Sequence, residues 1–223
     1  MVKRCTVIML NILYKNISWN NIDYVGFDLD GTLYDEFDFI DNSYSNISNF
    51  LEVNSVYKKE YIKNYLIKKW LIYGSSYRNL FDDILDEIKI NKFKKKILLK
   101  KCIDIHRESA DKIVLSKRVS FLLDQFKKNF HIFLVTDGNC ELQNQKYYSL
   151  GLDKWFKNEN VLISGCKTCR IDKPDIKIEN NLNLSQDLLK NPNKVVYFGD
   201  RSVDQSFCKN LGFNFIKVKN MIN

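Results

Sequence analysis

The feature that most restricts this chain is a series of short apolar runs, each closing on acidic, hydroxyl or glycine residues. They are Tyr24 to Phe27, His131 to Val135, Val161 to Ile163 and Val195 to Phe198, with Phe213 to Val218 as a fifth. Runs with no polar alternation suit strands covered on both faces, as in a parallel sheet. Helical patterns such as Val119 to Lys128 and Cys140 to Leu150 fall between them. Strands alternating with helices predict an α/β fold, a three-layer Rossmann-like parallel sheet.

Between Phe37 and Ile113 the pattern changes. No strand-like run stands out, and apolar residues recur at helical spacing through Tyr57 to Leu71, Leu80 to Ile88 and Ile97 to His106. Gly74-Ser75-Ser76 reads as a turn between two helices. The expected organisation is therefore a core of residues 1–36 and 114–223 with a helical domain inserted at 37–113. Tyr73-Gly74 and Tyr77-Arg78, flanking the turn, read first as helix packing and second as a substrate contact.

A chain of 223 residues with 45% hydrophobic content can bury one good core and a smaller module, which excludes a disordered polymer. Thirty-five Lys and Arg against 27 Asp and Glu give a formal net charge of +8, which favours anionic partners. The basic residues are dispersed, however. Lys68-Lys69, Lys94-Lys95-Lys96 and Lys127-Lys128 sit inside periodic apolar stretches and read as solvated helix faces, so we expect no nucleic-acid partner.

Met1 to Arg4 followed by the apolar Thr6 to Leu13 resembles the opening of a secretory signal but lacks a cleavage site. No later stretch approaches the roughly 20 apolar residues of a membrane helix, so no membrane partner and a cytoplasmic location are expected. The glycosylation-like triplets at Asn16, Asn46 and Asn183 then carry no modification. Six cysteines outside a secretory context read as reduced thiols. Cys166 and Cys169 have CxxC spacing, but zinc needs two further ligands and neither His106 nor His131 lies near them in sequence.

Ligands of an open parallel sheet bind beyond the carboxyl ends of its strands, so those ends carry the functional information. The first run leads into Asp28-Leu29-Asp30-Gly31-Thr32, the second into Thr136-Asp137-Gly138, and the fourth into Gly199-Asp200 with Asp204 downstream; Lys173-Pro174 follows the third. This set, in this order, resembles the four motifs of the haloacid dehalogenase (HAD) superfamily, subfamily I. The likeness spans Tyr24 to Val218, and the helical insert falls where that family carries its C1 cap.

The resemblance implies a magnesium-dependent phosphatase. Asp28 would attack phosphorus to form an aspartyl phosphate, while Asp30 would protonate the leaving oxygen and then deprotonate the hydrolytic water. Thr136, the backbone N–H groups of Asp137 and Gly138, and Lys173 would hold the phosphoryl oxygens. Mg2+ would be bound by Asp28, the backbone carbonyl of Asp30, Asp200 and Asp204, the last either through water or by bracing Lys173 instead.

Elementary chemistry agrees with these roles. Alternate residues at a strand end can face one crevice, as Asp28 and Asp30 would. Gly31 lets the chain turn away. A carboxylate meets a dianionic phosphate only when a hard cation offsets their repulsion. Because charge stabilisation dominates phosphoryl transfer, loss of Lys173 is expected to damage turnover more than folding.

Asp137-Gly138 departs from the Asn-Gly frequent in the family. A cap that closes over the site implies a small phosphorylated metabolite as partner, either a sugar phosphate or a nucleoside monophosphate, and Gln143 and Lys146 point the same way by resemblance. A sugar phosphomutase of the β-phosphoglucomutase type and a non-catalytic HAD-like binding module are the competing readings. Against the module stands the full set Asp28, Asp30, Thr136, Lys173 and Asp200.

Overall fold

The computed structural model describes residues 2–179 and 181–218; Met1, Asn180 and 219–223, which include both ends of the expected core, lie outside the described residues. In chain order the elements are α1 (Val2–Leu13), β1 (Tyr24–Phe27), α2 (Glu36–Val53), α3 (Lys59–Tyr73), α4 (Leu80–Glu87), α5 (Lys92–Glu108), α6 (Lys117–Asn129), β2 (His131–Thr136), α7 (Cys140–Ser149), β3 (Val161–Ile163), α8 (Ser185–Lys190), β4 (Val195–Gly199), α9 (Ser202–Leu211) and β5 (Asn214–Lys217). The chain forms two compact units, one of residues up to Asp35 with those from Val114 onward, the other Glu36–Ile113.

The first unit holds a five-stranded sheet in the order β3-β2-β1-β4-β5, with every pair parallel. The expected α/β fold is present, and each expected strand lies within a residue or so of its anticipated bounds. β1 is central. Phe27 lies opposite Leu134 of β2 and Phe198 of β4, so the carboxyl ends of these three strands finish side by side.

Aromatic packing explains why β1 reads Tyr-Val-Gly-Phe. On one face a Cβ at Gly26 would stand 2.3 Å from the Phe133 ring and 2.6 Å from Tyr197, so those rings occupy the space of a side chain. On the other, Phe27 stacks on Phe198 at 5.2 Å, with Phe126 and Trp19 beside them. Both faces are dry, as continuous apolar strands require.

The opening stretch and the cysteines take their places only in the fold, and the second overturns an expectation. The stretch resembling a secretory opening is α1, packed into the first unit: Val7 and Leu10 are buried, and Thr6 Oγ1 meets Gln125 Oε1 and Asn129 Nδ2 of α6, each at 3.1 Å. Reduced thiols were also expected throughout. Instead Cys140 and Cys166 form a disulfide with Cα atoms 4.7 Å apart, whereas Cys169 of the CxxC spacing is free. β2 and β3 pair in parallel, so the segments leaving them are spatial neighbours despite 26 residues between the two cysteines.

The second unit is helical, α2 to α5. No expected segment corresponded to α2, whose many Asn, Ser and Asp residues are weak helix formers. Burial of Phe39, Ile40, Tyr44, Ile47 and Leu51 along one stripe overrides that preference. α3 ends as anticipated at Gly74, whose φ of +73° favours glycine. Beyond it Tyr73 stacks on Tyr77 at 4.7 Å, and the Tyr77 hydroxyl donates to Asp83 at 2.7 Å. These aromatics make the helix-packing contacts that were their first reading. No described helix is long and apolar enough to cross a membrane.

Candidate active site

Parallel strands of one register deliver their following residues to one edge. Asp28 leaves β1 with its N–H donating to the Phe198 carbonyl at 2.8 Å, Thr136 ends β2, and Asp200 follows β4. Lys173 reaches the same place from the loop after β3. Its Nζ donates to Asp28 Oδ1 at 2.6 Å and Asp204 Oδ1 at 2.5 Å, with Val135 O at 3.3 Å and Tyr197 Oη at 3.4 Å. The Lys173 side chain is 0% exposed.

Burial pushes the Asp28 carboxyl up to about 7, with Lys173 opposing and the Asp204 charge adding to the rise. Burial also works against the Lys173 charge, but Asp28 and Asp204 outweigh it and hold the ammonium above its ordinary value. Asp204 lies in the first turn of α9, where its Oδ2 accepts the Arg201 N–H at 3.0 Å.

Asp30 goes elsewhere. At Gly31 the chain takes φ +71°, a left-handed turn, and the following residues return Tyr34 so that its hydroxyl donates to Asp30 Oδ1. The same oxygen accepts from Lys146 Nζ at 2.5 Å, and Oδ2 accepts from Gln143 Nε2 at 2.7 Å. Burial would raise the Asp30 pKa, but Lys146, Tyr34 and Gln143 together hold it below the ordinary carboxylate value. Asp28 and Asp30 thus join separate lysines, with opposite shifts.

Asp137 and Gly138 bind the surrounding loops. Asp137 Oδ1 accepts the Lys173 N–H at 3.0 Å, and its Oδ2 faces an Arg201 guanidinium nitrogen at 3.7 Å. The Gly138 N–H, expected to serve phosphate, donates to Ser164 Oγ at 3.1 Å. Thr136 is buried, with Gln143 Nε2 at 2.6 Å from its Oγ1.

Carboxylate oxygens of Asp28, Asp200 and Asp204 lie within 4.8 Å of one another. Both Asp204 oxygens are engaged, with Lys173 and with the Arg201 N–H. Asp28 Oδ2 and Asp200 Oδ1, by contrast, are buried without a hydrogen-bond partner. The Asp30 carboxylate is absorbed by its own cluster. Around the site five acidic side chains (Asp28, Asp30, Asp137, Asp200, Asp204) stand with three basic ones (Lys146, Lys173, Arg201), an excess of two acidic groups. Two hard oxygens without hydrogen bonds and that excess suit a divalent cation.

A family model described as haloacid dehalogenase-like hydrolase matches residues 25–218. The chain belongs to this family. No curated protein matches the chain in sequence. Among solved structures the HAD fold is shared with a candidate β-phosphoglucomutase from Thermotoga maritima (TM-score 0.70, 20% identity, covering 91% of this chain and 88% of that one). A subfamily IA, variant 1 HAD hydrolase from Geobacter sulfurreducens follows (0.64, 18% identity, 91% and 90%). The candidate HAD hydrolase YfnB from Bacillus subtilis, solved with magnesium bound, is similar at TM-score 0.65 and 16% identity, covering 91% and 89%.

Four participants in this HAD hydrolase site were missed or undervalued in the sequence. Tyr34 and Arg201 carried no signal beyond adjacency to a motif. Gln143 and Lys146 had been read only as hints about substrate, yet both are buried on α7 at a spacing of three. Buried polar residues on one helix face directly after the second motif are the pattern that pointed to them.

Proposed function

We propose that this HAD hydrolase is a magnesium-dependent phosphatase that hydrolyses a small phosphorylated metabolite, a sugar phosphate or nucleoside monophosphate. The observation that carries the reading is the pair of buried oxygens without a hydrogen bond, Asp28 Oδ2 and Asp200 Oδ1, in the site where the Lys173 ammonium holds Asp28. Asp28 and Asp200 would hold the cation, with Asp204 and the backbone carbonyl of Asp30 alongside. When bound, magnesium supplies the positive charge that lets one anion approach another.

Asp28 forms a bond to phosphorus as the bond to the leaving oxygen breaks and Asp30 gives that oxygen a proton, leaving an aspartyl phosphate. Lys173 and the Thr136 hydroxyl hold the phosphoryl oxygens. Water then attacks phosphorus, Asp30 takes its proton, and Asp28 is released. In the resting structure Lys146, Tyr34 and Gln143 hold the Asp30 pKa below the ordinary carboxylate value against the effect of burial. The helical unit is read as the cap that keeps substrates small.

Phosphate release from p-nitrophenyl phosphate, measured with magnesium and with EDTA, tests this reading beside Asp28→Asn. Turnover is expected to fall by about a thousandfold or more in the variant; equal rates for both proteins would sink it. Offering a sugar phosphate with its bisphosphate separates hydrolysis from mutase activity, because a mutase conserves phosphate.

A further inference from the structure

The hydrogen bonds around Gln143 admit one consistent proton assignment. Asp30 Oδ1 receives an N–H from Lys146 at 2.5 Å and the Tyr34 hydroxyl, so the carboxylate acts as an acceptor. The group that meets its Oδ2 at 2.7 Å is therefore a donor, the amide nitrogen of Gln143. The Asp137 main-chain carbonyl, which can only accept, lies 3.0 Å from the same nitrogen. Two acceptors thus fix which way the amide faces.

That nitrogen is also 2.6 Å from Thr136 Oγ1. An amide nitrogen has no lone pair to offer, and its two protons are shared among these three oxygens, so Thr136 can only accept there and its own proton points elsewhere. A hydroxyl normally rotates to suit its surroundings; this one has its acceptor side taken. The neighbouring backbone is built around the same amide: Gly138 has φ +145°, and a Cβ there would stand 2.9 Å from Gln143 Cγ.

We propose that Gln143 is a positioning residue, held by Asp30 and the Asp137 carbonyl so that the Thr136 hydroxyl proton is directed at an oxygen of the incoming phosphoryl group. The proposal rests on the phosphatase reading and deepens it. It ties the first motif to the second through a residue belonging to neither, because Asp30 sets the amide and the amide sets the hydroxyl. It also makes the Thr136 position a donor that rewards an oxyanion and gives nothing to a group without an acceptor.

Binding of inorganic phosphate in the presence of magnesium isolates this effect, since Asp30 takes part in chemistry and not in holding the anion. Calorimetric titration of wild type, Gln143→Met, Gln143→Glu, Thr136→Val and the Thr136→Val/Gln143→Met double variant is the experiment, with a thermal melt of each. Gln143→Met and Thr136→Val should each bind about tenfold to a hundredfold more weakly, the range for a lost hydrogen bond to a charged group. The double variant should be no weaker than Thr136→Val alone. Gln143→Glu keeps the shape but draws the threonine proton to itself, and should weaken binding at least as much as Gln143→Met.

Gln143→Met within about twofold of wild type, the scatter of neutral substitutions, while Thr136→Val loses affinity, would overturn the proposal. So would additive losses in the double variant. A wild type that binds phosphate with this pattern but hydrolyses no phosphorylated metabolite would sink the phosphatase reading and leave the proton direction standing. A wild type that binds no phosphate sinks both.

Discussion

Two buried lysines, Lys173 and Lys146, each grip a carboxylate of the first motif, and they do so in different company. Lys173 is shared by Asp28 and Asp204 in a pocket where the side chains are 0–1% exposed, and main-chain and tyrosine oxygens fill out its shell. Lys146 holds Asp30, whose side chain is 14% exposed, together with neutral donors from Tyr34 and Gln143. In the first cluster two anions compete for one cation and the Asp28 carboxyl is pushed up; in the second one anion is over-supplied with donors and is pushed down. Residues two apart in sequence are thereby given opposite proton affinities.

Removing Lys173 tests the drier cluster and should have the largest effect on stability. Lys173→Met leaves Asp28 and Asp204 buried without their cation, and urea unfolding in EDTA should show a loss of about 3–5 kcal/mol. This differs from the reading of the motif alone, in which Lys173 served turnover more than folding. A variant of normal stability would show that its contacts with both carboxylates are weak.

The disulfide adjoins the helix of the second cluster. Cys140 opens α7, the helix that carries Gln143 and Lys146, so reduction or Cys140→Ser/Cys166→Ser should lower stability by about 2–4 kcal/mol. Amide exchange should quicken in α7 more than in β4. Uniform acceleration through both would remove the distinction between the clusters.

Lys146→Met should lose about 1–3 kcal/mol, less than Lys173→Met, because water reaches Asp30 and its two neutral donors remain. The gap to wild type has a definite pH dependence. Asp30 has a folded pKa below its ordinary value, so its contribution is present above pH ~4 and is lost as pH falls through the folded value. Unfolding curves at neutral and acid pH should therefore converge in acid; a gap that widens there would contradict the assignment. Tyr34→Phe, which removes one neutral donor, should cost about 0.5–1.5 kcal/mol in the same assay, the smallest change of the set.

Local chemistry in the sequence was enough to place the sheet and its strand ends. Tyr24 to Phe27 and Val195 to Phe198 are uninterrupted apolar runs that double-sided burial stabilises, and Asp28, Thr136 and Asp200 stand where such strands stop, with Lys173 in the loop after β3. α2 and α1 were not legible as core helices. Serine- and asparagine-rich propensity hid one and a signal-like charge pattern hid the other, and in both cases tertiary burial decided.

What the order of residues determined by itself was the list of groups brought to one edge, because strand periodicity and turn residues act over a few positions. Which carboxylate meets which lysine, that Asp204 braces rather than stands open, and that Cys140 finds Cys166 instead of Cys169 being its neighbour's partner were decided only in three dimensions. Those pairings join segments as far apart as 145 residues. Their strength depends on how much water the folded chain excludes, a property that no local pattern encodes.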